Sequence, residues 1–392
     1  MPDLALRHEH LAVGLGFSAI HSDAKPGILA ANFYRPRRNP DACDALLKNI
    51  FMLSRFCLLI AASVLLFRGC SDASQPVQLK YKAVGNAPEM LAVYEAWFGE
   101  PRHLSVGYSS HDEKEIRRQI EEAKSGGIAA FVVDWYGDRD EYIDKSYALM
   151  QKQAAKNNFK VAMMYDQSNE EDGATDEIIA DFTMFHNAYL QPNSPGHDAY
   201  LTYQGRPVIF VFPHGKSADW ARVRSVVDRW NVAPLLIDEN LPDGHADAFD
   251  GFYPWINPGP LGWSQDGSHW GAQYLADFYR TMGAKYPDKM IVGAAWAQFD
   301  DSKASWGLNR HIAARCGQTF KDTFNFYRTI YPPDQIIPYI LIETWNDYEE
   351  GSAIEPGLPT CGNAPAATTP DGPGAGSAAA TPQPPAGAPQ KP

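Results

Sequence analysis

The chain has 392 residues and a formal net charge of −13, from 34 Lys and Arg against 47 Asp and Glu. Hydrophobic residues make up 45% and charged residues 21%, which is a globular composition and excludes a wholly disordered or fibrous chain. The acidic excess argues against a nucleic-acid partner, which needs a basic face. The 10 Trp and 19 Tyr can fill a core, but such rings also suit stacking on sugars.

Residues 52–70 have the pattern of an export signal. Met52 to Arg55 form a short basic start, and a run of 12 residues that is apolar apart from Ser63 follows from Phe56 to Phe67. That run is too short to cross a membrane as a helix and suits the core of a signal peptide. Gly69-Cys70 resembles a bacterial lipoprotein cleavage site, which would make Cys70 the lipidated residue. Since Arg68 is atypical there, a plain secretory signal or a short anchor is the alternative.

This signal affects the interpretation of the residues before it. Signal peptides lie at the N-terminus, so we expect Met52 to be the true start and residues 1–51 to be a mis-assigned leader without a fold. We expect the mature protein to be exported, as a periplasmic, membrane-anchored or secreted protein. A lipid on Cys70 would attach it to a membrane.

Eight short apolar runs follow between residues 90 and 345. They are continuous rather than alternating, which is typical of strands buried on both faces of a parallel sheet. The predicted strands are Met90–Trp97, Ile128–Asp134, Phe159–Tyr165, Pro207–Phe212, Pro234–Asp238, Gly251–Trp255, Met290–Trp296 and Ile337–Thr344.

Helical patterns separate most of these runs. In the clearest, Asp112–Lys124, Asp112 and Glu115 fit a capping box and Gly126 ends the helix. The other predicted helices are Glu141–Asn157, Asp176–Tyr189, Ser217–Trp230, Gln273–Lys285 and Gly317–Ile330.

This alternation predicts an α/β fold, a single (β/α)₈ TIM barrel over residues 76–361, for which about 250 residues are typical. A doubly wound open sheet is the alternative, although no glycine-rich phosphate loop follows the first strand.

Active sites of such barrels lie at the carboxyl ends of the strands. Almost every predicted strand end carries a carboxylate or an aromatic ring, and few carry Lys or Arg, which disfavours phosphate substrates. Rings and carboxylates suit a neutral polyhydroxylated ligand, although core packing is the more common role of any single Trp. The candidate substrate-binding residues are Tyr94, Trp97, Asp134, Trp135, Tyr136, Tyr165, Asp166, Trp255, Trp296, Asp300 and Trp345.

The densest acidic cluster follows the last strand. Glycosidic bonds are usually cut by two carboxyl groups, one acting as acid and the other as base or nucleophile. Asp347 and Glu350 are three positions apart, so a turn can direct both into one cavity while Glu349 faces away. Two close carboxylates raise one another's pKa, which helps to keep one protonated. A solvated acidic loop is the alternative interpretation.

Two cysteines belong to the predicted mature domain. In an oxidising compartment Cys316 and Cys361 could form a disulfide that pins the end of the domain, and two separate buried thiols are the alternative. No Cys and His spacing indicates zinc, and no cofactor is implied. The acidic Asp300-Asp301 pair could take calcium, although surface salt bridges are the more common use.

The chain ends in a segment without apolar side chains to bury. Ala, Pro and Gly supply 21 of the 30 residues from 363 to 392. This composition predicts that residues 362–392 are a disordered, low-complexity tail.

The residues after the last strand also resemble known enzymes. Residues 344–356, Thr-Trp-Asn-Asp-Tyr-Glu-Glu-Gly-Ser-Ala-Ile-Glu-Pro, are similar to the last-strand signatures of glycoside hydrolase families 71 and 99. The family 71 pattern, of fungal-type α-1,3-glucanases, is Thr-Trp-Asn-Asp-Tyr-Gly-Glu-Ser. The family 99 pattern, of endo-α-mannosidases and endo-mannanases, is Asn-Glu-Trp-His-Glu-Gly-Thr-Gln-Ile-Glu-Pro. The left half of this segment matches the first pattern and the right half the second.

The resemblance extends over roughly residues 90–356. Residues 94–99 resemble the family 99 first-strand pattern Tyr-Tyr-Pro-Trp-Tyr-Gly, and residues 108–110, 123–128 and 131–136 follow in the same order. The chain departs from family 99 where Ala96 replaces Pro, where Asp347 replaces Glu, and where Glu349 replaces His.

The resemblance implies a (β/α)₈ fold and cleavage of an α-glycan, with Asp347 and Glu350 in the two catalytic positions. Glu350 matches the second carboxylate of both patterns and is assigned as the general acid. Asp347 matches the family 71 Asp, and as a base toward water it would give inversion, for which carboxyl groups stand about 6.5–9.5 Å apart.

We therefore expect an exported, endo-acting α-glycosidase on α-glucan or α-mannan. We expect it to be a monomer whose partner is a polysaccharide or oligosaccharide. A non-catalytic glycan-binding lipoprotein and a barrel hydrolase for other sugars are the alternatives.

Overall fold

The computed structural model describes residues 77–361 except 169, 215, 243 and 260–267. The predicted leader 1–51, the signal 52–70 with its lipidation candidate Cys70, and the predicted tail 362–392 lie outside the described residues. Within the described ranges, no helix is both long enough and apolar enough to cross a membrane.

Eight parallel strands close into a barrel. Neighbours along the chain pair with each other, and the last strand pairs with the first, so the sheet has no open edge. The predicted TIM barrel is thereby confirmed, and each predicted strand matches one observed strand. The strands are β1 (Glu89–Tyr94), β2 (Ile128–Trp135), β3 (Lys160–Asp166), β4 (Arg206–Phe212), β5 (Leu235–Glu239), β6 (Gly251–Tyr253), β7 (Met290–Ala295) and β8 (Tyr339–Ile342).

Helices cover the outside of the barrel between most pairs of strands. Only a 3₁₀ turn, Ala246–Ala248, connects β5 to β6, and a short antiparallel pair, Phe299–Asp300 with His311–Ile312, follows β7. The α-helices of the described residues are α1 (Glu113–Ser125), α2 (Glu141–Lys156), α3 (Thr175–Tyr189), α4 (Trp220–Val227), α5 (Ala272–Lys285) and α6 (Gln318–Asn325).

The start of α1 differs from the predicted capping box. The Asp112 side chain accepts a hydrogen bond from the Lys114 N–H at 2.8 Å, as an N-cap should. The Asp112 N–H donates instead to the Ser109 carbonyl at 2.9 Å, so Glu115 does not close the box and binds Arg118.

Successive residues of each strand point to opposite sides of the barrel wall, as the two-residue period of a strand requires. In β1, Leu91 and Val93 pack in the cluster inside the barrel, whereas Ala92 and Tyr94 pack in the cluster that includes the helices. A residue that lies two positions after the last inward-facing side chain of a strand is therefore also expected to face inward, at the carboxyl end of that strand.

A disulfide closes the end of the domain. Cys316, just before α6, is bonded to Cys361, with a Cα–Cα distance of 4.9 Å and a separation of 45 positions along the chain. We expect replacement of both cysteines by Ser to lower the free energy of unfolding by about 2–4 kcal/mol, because the unfolded chain regains the entropy that the closed loop removes. Denaturant unfolding would measure it, and a reducing agent should reproduce the loss. An unchanged midpoint would contradict a stabilising role.

Candidate active site

A cavity of about 660 Å³ opens at the carboxyl ends of the barrel strands, a size typical of ligand sites. Its polar lining is acidic, with two arginines and two histidines beside six carboxyl groups, and aromatic rings form much of the wall. The lining includes Glu95, Trp97, Arg102, His103, Asp134, Tyr136, Asp140, Asp166, His214, Trp255, Trp306, Arg310, Asp347 and Glu350.

The structure brings just over half of the sequence-predicted site residues to this cavity. The ones that line it are Trp97, Asp134, Tyr136, Asp166, Trp255, Asp347 and Glu350. The remaining six candidates, Tyr94, Trp135, Tyr165, Trp296, Asp300 and Trp345, lie elsewhere.

Three of these six face outward from strand ends. Tyr94, Trp135 and Tyr165 are fully buried between the barrel and the helices. Their polar atoms bind residues of the helix layer, the Tyr94 hydroxyl donating to Gln119 at 2.7 Å and the Tyr165 hydroxyl to Asp181 at 2.8 Å. Each directly neighbours an inward carboxylate, so the strand period turns its ring away from the substrate space.

The side chains of the other three candidates contact neighbouring protein groups instead of lining the cavity. Trp296 is fully buried and donates its indole N–H to the Trp270 carbonyl at 3.0 Å, and Trp345 packs on Phe131 with ring centroids 5.3 Å apart. The Asp300 carboxylate accepts a hydrogen bond from the Ser302 N–H at 3.1 Å and so begins a 3₁₀ turn.

Several cavity residues were absent from the sequence prediction. Glu95 follows Val93 by two positions and His214 follows Phe212 by two, so the strand period could have identified both. Arg102, His103, Trp306 and Arg310 come from loops, where no periodic signal indicates which way a side chain points.

The segment after β8 is held against β1 by a side-chain amide. Asn346 accepts a hydrogen bond from the Glu95 N–H at 2.7 Å and donates one to the Glu95 carbonyl at 3.0 Å. Thr344 accepts from the Asp347 N–H at 2.8 Å and contacts Ser352. These bonds fix the backbone of both acidic strand ends.

A tight turn after β8 determines which of its three acidic side chains line the cavity. One oxygen of Asp347 accepts hydrogen bonds from the N–H groups of Glu349 at 2.9 Å and Glu350 at 2.8 Å. Glu349 does not line the cavity, because its carboxylate is bound to His103 and to the Leu104 N–H, each at 2.9 Å. Asp347 and Glu350 are left facing the same cavity.

The environment of this pair favours retention of a proton. Burial raises the pKa of Asp347 and of Glu350, and the charge of Glu350 raises that of Asp347 further. Hydrogen bonds to each carboxylate act in the opposite direction. Because two carboxyl groups that share one cavity resist double ionisation, the pair holds a proton that can be donated.

A second carboxyl pair lines the cavity beside the first. Glu95 is 4% exposed and Asp134 is 5% exposed, and burial raises the pKa of each. Tyr136 donates to one oxygen of Asp134 at 2.6 Å. Within the described residues the other Asp134 oxygen and one Glu95 oxygen have no hydrogen-bond partner. Such acceptors suit a shared proton or a substrate hydroxyl.

Aromatic rings form one wall of the cavity. Trp97 stacks on His103 with centroids 4.7 Å apart, and Trp306 stands edge-on to Trp97 at 6.2 Å. Flat apolar surfaces beside carboxylates match the faces and hydroxyl edges of a sugar ring.

No group of three or more metal-ligating side chains is placed to hold a metal in the described part of the chain. The acidic pair considered for calcium has other partners, because the fully buried Asp301 binds the Arg310 side chain at 2.7 Å and the Leu308 N–H at 3.0 Å.

Glu343, at the end of β8, provides a prediction on stability. It is fully buried and accepts a hydrogen bond from the Ile256 N–H. Burial, and then the charge of Glu239, raise the pKa of Glu343, and burial raises the pKa of Glu239 itself to about 7. The folded state therefore keeps protons that the unfolded chain releases near pH 4.5. The stability that they contribute is present below that pH and is lost as the pH rises.

We expect Glu343→Gln to raise the free energy of unfolding at pH 8 by about 1–3 kcal/mol, because Gln keeps the acceptor without a charge. At pH 4, below the unfolded pKa, the variant should match the wild type. Thermal unfolding at both pH values measures the difference, and equal effects at the two would contradict the assignment.

Comparison with known proteins identifies a family that matches this chain. Residues 102–372 match glycosyl hydrolase family 71. A GH99 endo-α-mannosidase from Bacteroides thetaiotaomicron, in complex with bis-tris-propane, has a TM-score of 0.55 and 20% identity over 69% of this chain and 87% of that chain. A second structure of a GH99 endo-α-mannosidase from that organism has a TM-score of 0.55 and 18% identity over 69% and 88% of the two chains.

A glycoside hydrolase-like protein has a TM-score of 0.52 and 16% identity, over 71% of this chain and 89% of that chain. At these identities the likeness to solved structures concerns the fold. No curated protein matches the chain.

Proposed function

This chain belongs to glycosyl hydrolase family 71, and from that premise we propose that it hydrolyses α-glycosidic bonds of a polysaccharide with Glu350 as general acid and Asp347 as general base. The protein is a glycoside hydrolase with a (β/α)₈ barrel. The observation that supports the two roles is that both carboxyl groups face one cavity, while the intervening Glu349 is bonded elsewhere.

The proposed reaction is a single displacement at the anomeric carbon. Glu350 donates its proton to the glycosidic oxygen as the bond from that oxygen to the anomeric carbon breaks. Asp347 removes a proton from a water whose oxygen bonds to the same carbon from the opposite face, which inverts its configuration. The proton on Asp347 then exchanges with solvent, and Glu350 is reprotonated for the next turnover.

An α-glucan is the proposed substrate, and an α-mannan is the second candidate. The α-glucan is favoured because the family match is to family 71, whereas the likeness to endo-α-mannosidases is one of fold at 20% identity or below. We propose that the substrate is an uncharged sugar polymer, because carboxyl groups outnumber arginines in the cavity lining.

Product analysis by NMR on a panel of α-glucans and α-mannans tests substrate and mechanism together. We expect new reducing ends from an α-glucan, initially in the β configuration. Products in the α configuration would contradict inversion. Glycan binding without any product would support instead the non-catalytic binding protein considered above.

We propose further that the protein is exported. The signal pattern of residues 52–70 supports this, and the Cys316–Cys361 disulfide is typical of oxidising compartments. Expression of the full chain in a bacterium, followed by fractionation and mass spectrometry of the mature N-terminus, tests it. A cytoplasmic product that retains residues 52–70 would contradict export.

A further inference from the structure

The loop between the short strands Phe299–Asp300 and His311–Ile312 projects one aromatic ring to the mouth of the cavity. Asp301, a fully buried residue at the start of this loop, accepts hydrogen bonds from the N–H groups of Leu308 at 3.0 Å and Arg310 at 2.6 Å. Gly307 lies so close to the Asp301 carbonyl that a Cβ would collide with it. The loop that carries Trp306 therefore has a defined backbone.

Trp306 is held by three contacts and is still partly exposed. Its indole N–H donates to Glu350 Oε1 at 2.9 Å, and its ring stands edge-on to Trp97 at 6.2 Å and to His103 at 6.3 Å. The side chain is nevertheless 45% exposed, whereas Trp97 is 5% exposed. A partly exposed indole ring is thus hydrogen-bonded to the proposed general acid through its N–H.

The position of the acid indicates what covers that ring. A general acid lies within hydrogen-bond reach of the atom that it protonates, and in a glycosidase this atom is the oxygen of the leaving sugar. A ring bonded to the acid is then separated from that oxygen by two hydrogen bonds, roughly 6 Å. A sugar on the leaving side is the part of the substrate within reach of Trp306.

We propose that Trp306 is the platform of the leaving-group subsite and that its indole N–H positions the Glu350 carboxyl toward the glycosidic oxygen. The inference rests on the proposed function, because it takes Glu350 as the acid. It identifies the substrate class as an α-linked oligosaccharide or polysaccharide that carries at least one sugar beyond the cleaved bond. Trp306 is in this sense a positioning residue that also binds the leaving sugar.

The hydrogen bond from the Trp306 indole also affects the pKa of Glu350. Burial raises the pKa of Glu350, and the hydrogen bond from Trp306 opposes that rise. Other charged groups act on this carboxyl from the surrounding elements and are unchanged by a substitution at Trp306. They are Asp347 beside it, Glu95 at the end of β1, His214 after β4, and Asp301 and Arg310 on the loop.

Two variants separate positioning from stacking. Trp306→Phe keeps a ring and loses the N–H, so the basic limb of kcat/KM should move up by about 0.5–1 pH unit, with KM within about twofold of wild type. Trp306→Ala should show the same shift and also raise KM for α-1,3-gluco-oligosaccharides about 3–10-fold. Leu308→Ala is the matched control, since this side chain of the same loop is 71% exposed and should change neither quantity.

A glycosyl fluoride provides the second readout. Fluoride neither stacks on an indole nor needs protonation by Glu350, so the two Trp306 variants should hydrolyse α-glucosyl fluoride at the wild-type rate. Equal losses on the fluoride and on the oligosaccharide would overturn the subsite assignment, and so would variants with wild-type KM and pH profile. Full turnover by Glu350→Gln would remove the proposed function and this inference together. An inactive Glu350→Gln beside unaltered Trp306 variants would remove this inference alone.

Discussion

Replacement of Glu350 by Gln is expected to lower kcat on an α-glucan by about 10²–10⁴-fold, with little change in KM. Gln retains the oxygen that accepts the Trp306 indole N–H, so the side chain should keep its place while losing its transferable proton. The leaving sugar is then expelled as an unprotonated alkoxide, which is the slow step that a general acid removes. Steady-state kinetics on purified protein, with binding measured by calorimetry, would check the result.

The neighbouring residue is the matched control for that variant. Glu349 is adjacent in sequence and buried, but it does not line the cavity, and its carboxylate is bound to His103 and to the Leu104 N–H. Glu349→Gln should therefore act mainly on stability, with a loss of kcat at least tenfold smaller than that of Glu350→Gln. Similar losses in both variants would indicate a general effect of charge removal and would argue against a specific acid.

Replacement of Asp347 by Asn is expected to reduce kcat by a similar factor, about 10²–10⁴-fold, because the attacking water loses its base. The amide oxygen of Asn can still accept the N–H groups of Glu349 and Glu350, so the turn should persist. The acidic limb of the pH profile should flatten, since it reports ionisation of the base. Rate measurements across pH 4–9 would show both effects.

A conservative variant distinguishes chemistry from structure at this position. Asp347→Glu keeps the carboxylate, and family 99 enzymes carry Glu in the corresponding position of their signature. We expect it to recover part of the activity that Asn loses. Activity in Asp347→Asn equal to that of wild type would exclude Asp347 as the base and leave Glu95 or Asp134 to be tested in that role.

The strands were predictable because a parallel barrel buries both faces of each one. Continuous apolar runs such as Pro207–Phe212 are unusual outside such strands, and this one matches β4, Arg206–Phe212, to within a residue. Element boundaries were less predictable. The helix expected over Ser217–Trp230 spans only Trp220–Val227, because Asp219 caps its start by accepting the Arg222 N–H.

The same strand period would have improved the prediction of the site. Tyr94 and Glu95 are neighbours within the first apolar run, but only Glu95, which is in phase with Val93, lines the cavity. Trp135 lies between Asp134 and Tyr136, both of which line the cavity, and faces outward. Residue type suggested the aromatic candidates, whereas the direction of each side chain depends on its phase in the strand.

The order of residues along the chain was sufficient to predict the barrel and the carboxyl pair after its last strand. Burial patterns and turn spacing can be recognised within a short stretch of sequence, without knowledge of which other segments pack against it. The partners of that pair were decided only by the tertiary structure. Trp306 binds Glu350 from a loop after β7, and Asn346 binds Glu95 across 251 positions. Contacts between loops depend on how the whole barrel closes, and no periodicity within either segment encodes them.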